Sequence, residues 1–550
     1  MNTLEFMYFG AIRFILPIVA LLLLFVNIRL ILHNLKRKTL AKFAIESYRD
    51  VVNIKSSECL IGSSLICDVR LKSKKVAKQH ALLNLTEYGF KLTPLSPHNK
   101  IYVNDYEVQG EAFLQSGDKI RIGDVQLQIA INPAISTKSI AKNDKSAKSY
   151  RLCAGALLSV FQLISACSLS FTDTKNMGLY FAVFGGMIIL EWIYFLIRGF
   201  KSNIGIETTA FFLTTVGLCM AANVKTDVIL KQGIMFLVGF FGFIILSLLL
   251  KKLKFVEAMR IPVMAIGGLL LIYNMFFGVY INGSRNWIAI GDFTLQPSEF
   301  VKVAFVFISA CSLDKLIKTK DLLTFLGFMF ICLCSLAIMR DFGTAIIYFG
   351  AMIIILCLRL CDTKIVIALL GSAGVLGALV VKFIPYISAR FATYLHAWDY
   401  ATSGGYQQTQ TMISVASGGL FGMGLGQGNL SNVSAADTVL VFGMVSEELG
   451  LIFALCIALM YALFMIYTAV CIPRTRSIYY AVTASAAAGI YIFQATLNIF
   501  GSLDLLPLTG VTLPFVSNGG SSMIAAWLLL AFIKCGGTEV VSLKAKESDE

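Results

Sequence analysis

The hydrophobic half of the chain is interrupted at length by the stretch Arg390-Phe-Ala-Thr-Tyr-Leu-His-Ala-Trp-Asp-Tyr-Ala-Thr-Ser-Gly-Gly-Tyr-Gln-Gln408. Apolar runs long enough to cross a bilayer flank it, and they end near Pro385 and resume near Thr438. An ordered loop of this length between two spans usually has a function. It carries one carboxylate, Asp399, beside hydrogen-bonding groups and glycines. That combination suits chemistry on a lipid-linked polar substrate.

The composition of the whole chain indicates a polytopic membrane protein. Of its residues, 57% are hydrophobic and only 14% are charged, and the mean hydropathy is +0.77. A soluble protein of this size could not bury so much apolar surface. The net charge of +14 comes largely from clusters at the ends of apolar runs, which indicates cytoplasmic loops and argues against binding of nucleic acid. The clusters are His33–Lys38, Arg198–Lys201, Lys251–Lys254, Lys315–Lys320 and Arg474–Arg476.

The apolar runs predict about thirteen helices of bilayer-spanning length. The first, from about Met7 to Leu32, is too long for the apolar core of a signal peptide, so we expect a retained anchor. The others are expected near 153–172, 178–198, 205–224, 232–250, 259–281, 298–314, 322–339, 343–360, 364–385, 437–471, 478–503 and 510–534. Placing the first basic cluster inside the cell puts each later cluster inside and the Asp399 loop outside.

A segment of different composition separates the anchor from the other spans. Short β-rich strings alternate there with turn residues, a spacing that predicts a small all-β sandwich in the cytoplasm. The chain then divides into an anchor with a basic flank (1–43), the β-sandwich (44–132), a flexible linker (133–150), a transmembrane hairpin (151–202), a membrane domain (203–536) and a cytoplasmic tail (537–550).

Several polar strings stand out within the membrane region. They are Gly283–Ile288, Gln296–Lys302, Arg340–Thr344, Glu447–Gly450 and Leu506–Ser521. Ionisable residues at membrane depth are costly and normally face partners, a cavity or a substrate path. Glu299 and Lys302 are three residues apart, so on a helix they share a face and can pair. For Glu447 and Glu448, a purely structural role in locking helices together and a functional role are both open.

Together these strings resemble the SEDS family (shape, elongation, division and sporulation) of FtsW/RodA/SpoVE-like peptidoglycan glycosyltransferases. The resemblance covers about Gly205 to Lys534, roughly ten spans in the same order, and includes Gly405-Tyr-Gln407 after the loop acid. It implies that Asp399 is the acid essential for glycan polymerisation. A placed carboxylate can act as general base on a sugar hydroxyl, which is a poor nucleophile at neutral pH.

The same resemblance implies further site residues. Substrate binding maps to Arg285, Trp287, Gln296, Ser298, Glu299, Lys302, Arg390, Tyr406 and Gln407. A departing pyrophosphate would be stabilised by a divalent cation (Mg²⁺ or Mn²⁺) or by Arg285, Lys302 or Arg390. No cofactor or metal site is indicated with certainty. The chain departs from the family pattern at Asp437, within the string that precedes the Glu447 motif, and at Asn518, where tyrosine is usual.

The β segment resembles a forkhead-associated (FHA) module, a reader of phosphothreonine. Its phosphate pocket would comprise Lys78, His80 and Asn99. Ser63 and Ala77 stand where such modules carry the arginine and the serine that hold the phosphate. Because a guanidinium fork and a hydroxyl are lost, we expect weak phosphothreonine binding and a role in docking a cytoplasmic protein. His80 is expected to pack the loops.

The leading functional hypothesis is therefore an enzyme that polymerises lipid II into glycan strands at the outer face of the bacterial membrane, for division, elongation or sporulation. The resemblance implies a class B penicillin-binding protein, a transpeptidase, as partner. The alternatives are a lipid II flippase, since polar residues in a helix bundle can line a passage, and a catalytically weak FHA scaffold of the cell-wall machinery.

Overall fold

The structure is a computed structural model. It describes residues 3–33, 41–46, 50–54, 58–63, 67, 69–71, 73, 75–77, 80–86, 89–95, 100–108, 110–131, 145–198, 204–224, 226–281, 284–290, 293–309, 319–360, 363–471 and 478–536. Lys78, Asn99, the Lys36–Lys38 cluster, most of the expected linker and the expected tail 537–550 lie outside these ranges.

Helices dominate the described part of the chain. They are α1 (Thr3–His33), α2 (Lys145–Thr172), α3 (Met177–Ile197), α4 (Gly205–Val224), α5 (Thr226–Leu249), α6 (Leu253–Phe277), α7 (Pro297–Ser309), α8 (Thr319–Ile338), α9 (Phe342–Leu360), α10 (Thr363–Phe383), α11 (Pro385–Thr393), α12 (Tyr406–Gly418), α13 (Val441–Leu449), α14 (Leu451–Cys471), α15 (Ile478–Ser502) and α16 (Gly520–Gly536).

Strands form two groups, one between α1 and α2 and one between α6 and α7. The first group is β1 (Ala41–Ile45), β2 (Asp50–Ile54), β3 (Glu58–Gly62), β4 (Val69–Arg70), β5 (Ala81–Thr86), β6 (Gly89–Pro94), β7 (Ile101–Val103), β8 (Tyr106–Glu107), β9 (Ala112–Leu114), β10 (Lys119–Ile122) and β11 (Val125–Ile131). The second is β12 (Val279–Ile281), β13 (Ser284–Ile290) and β14 (Phe293–Leu295), which pair as an antiparallel meander.

The first group builds the expected β-sandwich. One sheet has the order β2-β1-β11-β10-β7-β8 and the other β4-β3-β5-β6-β9. Phe43, Leu83, Phe90, Ile101 and Leu127 belong to the buried cluster between them, as alternation along half-buried strands requires.

The edges of this domain differ from the predicted boundaries. Strand β1 begins at Ala41, inside the segment assigned to the anchor, because Ala41, Phe43 and Ile45 alternate with outward residues and pair with β11. Helix α2 begins at Lys145, inside the predicted linker. The polar composition of both stretches concealed the regular structure.

Each of the predicted spans corresponds to a helix, but not all of these helices reach bilayer length. Among the described residues, nine helices are long and apolar enough to cross a membrane, namely α1 to α6, α10, α14 and α15. Three shorter apolar helices lie within α8, α9 and α16. The structure thus supports a multi-pass membrane protein, with α7 as a helix of 13 residues.

Two predicted spans were wrong in detail. The expected span 437–471 is broken at Gly450, whose positive φ of 88° separates α13 from α14. The expected span 510–534 begins as a helix only at Gly520, because residues 510–519 form an irregular segment that contains Pro514. Both predictions were wrong because hydropathy identifies an apolar segment but does not show where a helix within it begins or is interrupted.

Candidate functional site

Asp399 lies in a chain of tight turns between α11 and α12. The backbone N–H of His396 donates to the Thr393 carbonyl, and that of Asp399 donates to the His396 carbonyl, each at 3.0 Å. The Asp399 side chain is 74% exposed, and its Oδ2 lies 3.4 Å from Nδ1 of His396. The turns therefore present a carboxylate to the solvent on an ordered backbone.

These turns rest on the segment that follows α15. The N–H of Ala397 donates to Oδ2 of Asp504 at 3.3 Å, and the Tyr394 hydroxyl donates to the Leu505 carbonyl at 3.3 Å. Nη1 of Arg390 donates to the Leu508 carbonyl at 2.5 Å. Residues from two distant parts of the sequence thus fix the backbone that carries Asp399.

Gly405 allows the turns to pack against the start of α12. A Cβ at this position would lie 2.3 Å from the carbonyl oxygen of Ala397, closer than real atoms approach. The Gly405 N–H also donates to the Tyr400 carbonyl at 3.0 Å. The glycine of the Gly-Tyr-Gln string therefore lets two backbone segments touch immediately beside the Asp399 turn.

A second polar group, which we call the inner polar cluster, surrounds Asp341 in the membrane domain. Nδ2 of Asn286 donates to its Oδ2 at 2.9 Å, and Nε2 of Gln296 donates to the same oxygen at 3.3 Å. The N–H of Thr344, in α9, donates to Oδ1 at 3.2 Å. The backbone N–H of Gln296 donates in turn to the hydroxyl of Ser521 at 3.0 Å. Asp341 thus connects three of the polar strings found in the sequence.

The pairing predicted for Glu299 and Lys302 is confirmed. Nζ of Lys302 lies 2.8 Å from the Glu299 carboxylate, and both side chains are buried. The buried Ser298 accepts a hydrogen bond at its carbonyl from the Tyr348 hydroxyl at 2.9 Å. This group ties the first turns of α7 into the helix bundle.

The remaining candidate residues lie in two places. The Arg285 guanidinium donates to the carbonyls of Gly278 and Phe276 at the end of α6, and Trp287 lies in β13 opposite Val279. Tyr406 is 44% exposed at the start of α12, and Nε2 of Gln407 donates to the Ser434 carbonyl at 2.9 Å.

The candidates therefore divide between the Asp399 turn and the α6–α7 region. Sequence reasoning passed over Asp341, Asn286, Asp504 and His396 as site residues. Asp341 could have been found, because it is the one acid in its polar string; Asp504 could not, because its partner Ala397 is 107 residues away.

Glu447 and Glu448 hold the loop that follows α12. Oε2 of Glu447 accepts from the N–H of Leu430 at 3.0 Å, and Oε2 of Glu448 accepts from the N–H of Gly426 at 2.9 Å. Glu448 also accepts from Nδ2 of Asn223, in α4. The structural reading of these two carboxylates is thereby supported. We call α12, this loop and α13 (residues 406–449) the outer block.

Two of the residues that depart from the family pattern, Asp437 and Asn518, contact each other. Nδ2 of Asn518 donates to Oδ2 of Asp437 at 2.7 Å, and the Asn518 N–H donates to the Asp437 carbonyl at 2.9 Å. One substitution therefore supplies the hydrogen-bond partner of the other, and the pair joins the outer block to the segment before α16.

No metal centre is formed by the described side chains alone. Among the residues given above as described, no group of three or more His, Cys, Asp or Glu side chains is placed to hold a metal ion.

In the β-sandwich, both ring nitrogens of His80 contact the backbone. Nδ1 accepts from the Ala77 N–H at 3.1 Å, and Nε2 lies 3.3 Å from the Lys100 carbonyl. Burial lowers the pKa of His80 from its ordinary value, which favours the neutral ring that this pattern requires. His80 is thus a loop-packing residue, as expected, and of the three pocket residues only it lies in the described part.

The protein therefore belongs to the class of multi-pass helical membrane proteins. Its membrane domain carries an exposed carboxylate turn, and a small β-sandwich precedes that domain. Residues 206–535 match the FtsW/RodA/SpoVE cell cycle protein family, and residues 59–123 match the FHA domain. The chain belongs to the FtsW/RodA/SpoVE family and carries an FHA domain in addition.

Similar proteins agree with this assignment. The chain is 33% identical over 259 residues to stage V sporulation protein E of Bacillus subtilis, covering 45% of this chain and 69% of that protein. It is 30% identical over 368 residues to the probable peptidoglycan glycosyltransferase FtsW of Alcanivorax borkumensis, covering 62% and 94%. A chain of a solved peptidoglycan synthase complex has the same fold, with a TM-score of 0.51 and 21% identity over 60% of this chain and 96% of that one.

The close approach at Gly405 makes a testable prediction. Gly405→Ala should loosen the turns 394–405, because its Cβ would overlap the Ala397 carbonyl. Limited digestion with chymotrypsin should then cut faster after Trp398 and Tyr400. Gly371→Ala is the matched control, since nothing lies within 4 Å of a Cβ there. Equal cleavage in both variants would contradict the packing described.

Proposed function

We propose that this protein is a peptidoglycan glycosyltransferase that polymerises lipid II into glycan strands at the outer face of the bacterial membrane. The observation that carries the proposal is the exposed carboxylate of Asp399 on a turn fixed by Asp504 and Gly405. Relatives that match most of their length are named as glycosyltransferases of this kind.

The turn suits a general base. Chain extension requires the 4-hydroxyl of one disaccharide to attack C1 of another, whose polyprenyl pyrophosphate departs. Asp399 would accept the hydroxyl proton during attack, which contributes typically about 100-fold to 10,000-fold in rate. An exposed carboxylate on ordered backbone can meet a substrate that remains anchored in the membrane by its lipid. His396 beside it would orient the carboxylate.

The charge of the departing pyrophosphate needs a cation, and the structure favours Arg390 among the three candidates. Arg390 lies on the same docked segment as Asp399. Lys302 is buried and already paired with Glu299, and Arg285 lies against the end of α6, on a different segment from Asp399. A Mg²⁺ ion would fit only with the pyrophosphate oxygens as its main ligands, because Mg²⁺ commonly binds substrate phosphates with one or two carboxylates.

Transport of lipid II is less well supported. The described buried carboxylates in the polar strings are engaged by the protein: Glu299 by Lys302, Asp341 by Asn286, Glu447 by Leu430 and Glu448 by Gly426. Such groups hold helices and loops together and do not offer a polar passage to a substrate. An exposed base on an outer turn would have no task in a flippase.

The path of α1 supports opposite sides for the β-sandwich and the outer block. Helix α1 ends at His33, just before β1, while Phe14 packs on Phe421 of the outer block with ring centroids 4.9 Å apart. The 19 residue steps from Phe14 to His33 span about 28 Å at the helical rise, close to the thickness of the hydrocarbon core. With the sandwich in the cytoplasm, the Asp399 turn faces outward.

Two protein partners follow from this arrangement. A class B penicillin-binding protein would cross-link the strands, and the matching chain of known structure indeed belongs to a peptidoglycan synthase complex. The β-sandwich would dock a cytoplasmic protein. Ala41 pairs with Ile131, so both ends of the domain lie at one end of the strands, whereas Gly62, Lys75 and the turn at Gly123 lie at the opposite end. We infer that this second end of the strands faces away from the membrane, because the first end leads to α1 and α2.

Replacing the general base should abolish most activity without unfolding the protein. Asp399→Asn keeps the shape of an exposed side chain and should lower polymerisation by about 100-fold or more. The measurement is gel-resolved glycan length from purified protein, labelled lipid II and a partner transpeptidase. Asp227→Asn, which removes an exposed carboxylate in the first turn of α5, is the matched control.

Lipid II binding should survive in the Asp399 variant, since other residues position the substrate. Polymerisation at the wild-type rate by Asp399→Asn would mean that Asp399 is not the base. Equal losses in Asp399→Asn and Asp227→Asn would point to a general effect of charge.

The orientation is testable in intact cells. A thiol reagent that cannot cross membranes should modify a cysteine introduced by Thr402→Cys and leave one introduced by Lys100→Cys untouched, because the two positions lie on opposite sides. Unsubstituted protein gives the background of the native cysteines. The reverse labelling pattern would overturn both the orientation and the mechanism.

The FHA domain should bind phosphothreonine peptides poorly. Ser63 and Ala77 replace the groups that form charge-assisted bonds to phosphate, and His80 is occupied by backbone. Titration of the full-length protein with a phosphothreonine peptide library, and with the unphosphorylated peptides as control, tests this. Tight binding that depends on the phosphate would contradict it.

A further inference from the structure

Helix α1 packs against the protein between Ile12 and Ile31, the part of the helix whose side chains the structure describes. Buried residues recur every three or four positions, as in a helix that lies on a protein surface. They are Ile12, Leu16, Pro17, Val19, Ala20, Leu23, Leu24, Val26, Asn27, Leu30 and Ile31. Ile18, Leu22 and Phe25 on the other side are about half exposed, which is expected of lipid-facing residues. A simple anchor has no need of such a face, and the family match begins only at residue 206.

Two hydrogen bonds fix α1 on the first helix of the family domain. Nδ2 of Asn27 donates to the Thr209 hydroxyl at 3.2 Å, and Oδ1 of Asn27 accepts from the Thr208 hydroxyl at 2.7 Å. All three side chains are buried. Because polar groups in an apolar setting require partners, these contacts specify the rotation and depth of α1 on α4.

Near its other end, α1 contacts the outer block. The rings of Phe14 and Phe421 lie 4.9 Å apart between centroids, tilted by 57°. Helix α2, which packs beside α1, ends next to the same loop: a Cβ at Gly426 would lie 3.1 Å from the Thr172 methyl carbon. Helices α1 and α2, which precede the family domain, therefore both contact this loop. Its backbone N–H groups donate to Glu447 and Glu448.

The closely packed outer block connects this contact with the Asp399 turn. Gly422 packs on the backbone of Glu448, where a Cβ would lie 2.2 Å from the carbonyl oxygen, and Gly418 packs equally closely on Ser446. The loop, α12 and α13 are thus closely packed. The Asp399 turn sits at the other end of α12, against Gly405.

We propose that α1 is a positioning element of the glycosyltransferase: anchored by Asn27 on α4, it holds the outer block through Phe14 and thereby places Asp399. The effect on the reaction rests on the proposed function, whereas the effect on the loop does not. Because α1 ends at His33 and the first strand of the FHA domain begins at Ala41, α1 would connect that domain to the outer block across the membrane.

The test compares two phenylalanines of the same helix. Phe14 and Phe25 are 39% and 50% exposed, but Phe14 contacts the outer block. Full-length Phe14→Ala and Phe25→Ala, in lipid nanodiscs, are examined by hydrogen exchange and by polymerisation of lipid II. In Phe14→Ala, the amides of residues 419–430 should exchange at least about threefold faster, because their local opening is no longer opposed by the ring contact.

The kinetic readout separates positioning from folding. Phe14→Ala should lower kcat by about tenfold with KM little changed, since misplacement of a catalytic group costs rate more than binding. Phe25→Ala should match wild type in both measurements, and Phe14→Tyr, which retains the ring, should restore them. Exchange elsewhere in the bundle, such as in α15, reports on overall folding.

The outcomes decide the two claims separately. Wild-type exchange at residues 419–430 in Phe14→Ala, or equal changes in Phe14→Ala and Phe25→Ala, would overturn the positioning role and leave α1 as an anchor. Faster exchange in Phe14→Ala alone, in a protein whose wild type makes no glycan, would support the contact while rejecting the proposed function.

Discussion

The closure of the loop after α12 by two buried carboxylates is the constraint on which the placement of α12 depends. Backbone amides in apolar surroundings must find acceptors, and those of Gly426 and Leu430 find Glu448 and Glu447. The acceptors lie on α13, so the loop can close only against that helix. Glycines at the contact remove the side chains that would keep the backbones apart. This irregular loop thereby holds α12 in a fixed position.

This support explains how Asp399 can be exposed and still have a well-defined position. Asp399 itself is surrounded by solvent, but the backbone under it is held from two sides, by Gly405 at the start of α12 and by Asp504 after α15. Exposure leaves room for a sugar hydroxyl, and the two supports limit the positions that the carboxylate can take. Catalytic groups gain most when their position is fixed before the substrate arrives. Helix α1, which ends shortly before the first strand of the FHA domain, contacts the loop after α12 through Phe14 and Phe421.

Local patterns in the sequence predict several of these features, but they do not predict the long-range contacts. The Glu299–Lys302 pair follows from helical spacing, and the exposed position of Asp399 between two helices follows from its place in a polar interruption between apolar runs. In contrast, Asp504 and Ala397 are far apart in sequence, and no pattern in either stretch indicates that they meet. Strand β1 was misplaced because Lys42 made its start resemble a basic flank, and the break at Gly450 was hidden in a continuous apolar run. Hydropathy indicates which segments of a chain are buried. Strand pairing and helix breaks depend on the residues that each segment contacts.

A cryo-electron microscopy structure of the full-length protein with lipid II and a short glycan strand bound would test the central claim most directly. The account predicts that an Asp399 carboxylate oxygen lies at hydrogen-bond distance, roughly 3 Å, from the attacking 4-hydroxyl, with the pyrophosphate on the side of Arg390. A bound substrate whose reacting carbon lies beside another carboxylate, such as Asp341, with Asp399 still in open solvent, would contradict it.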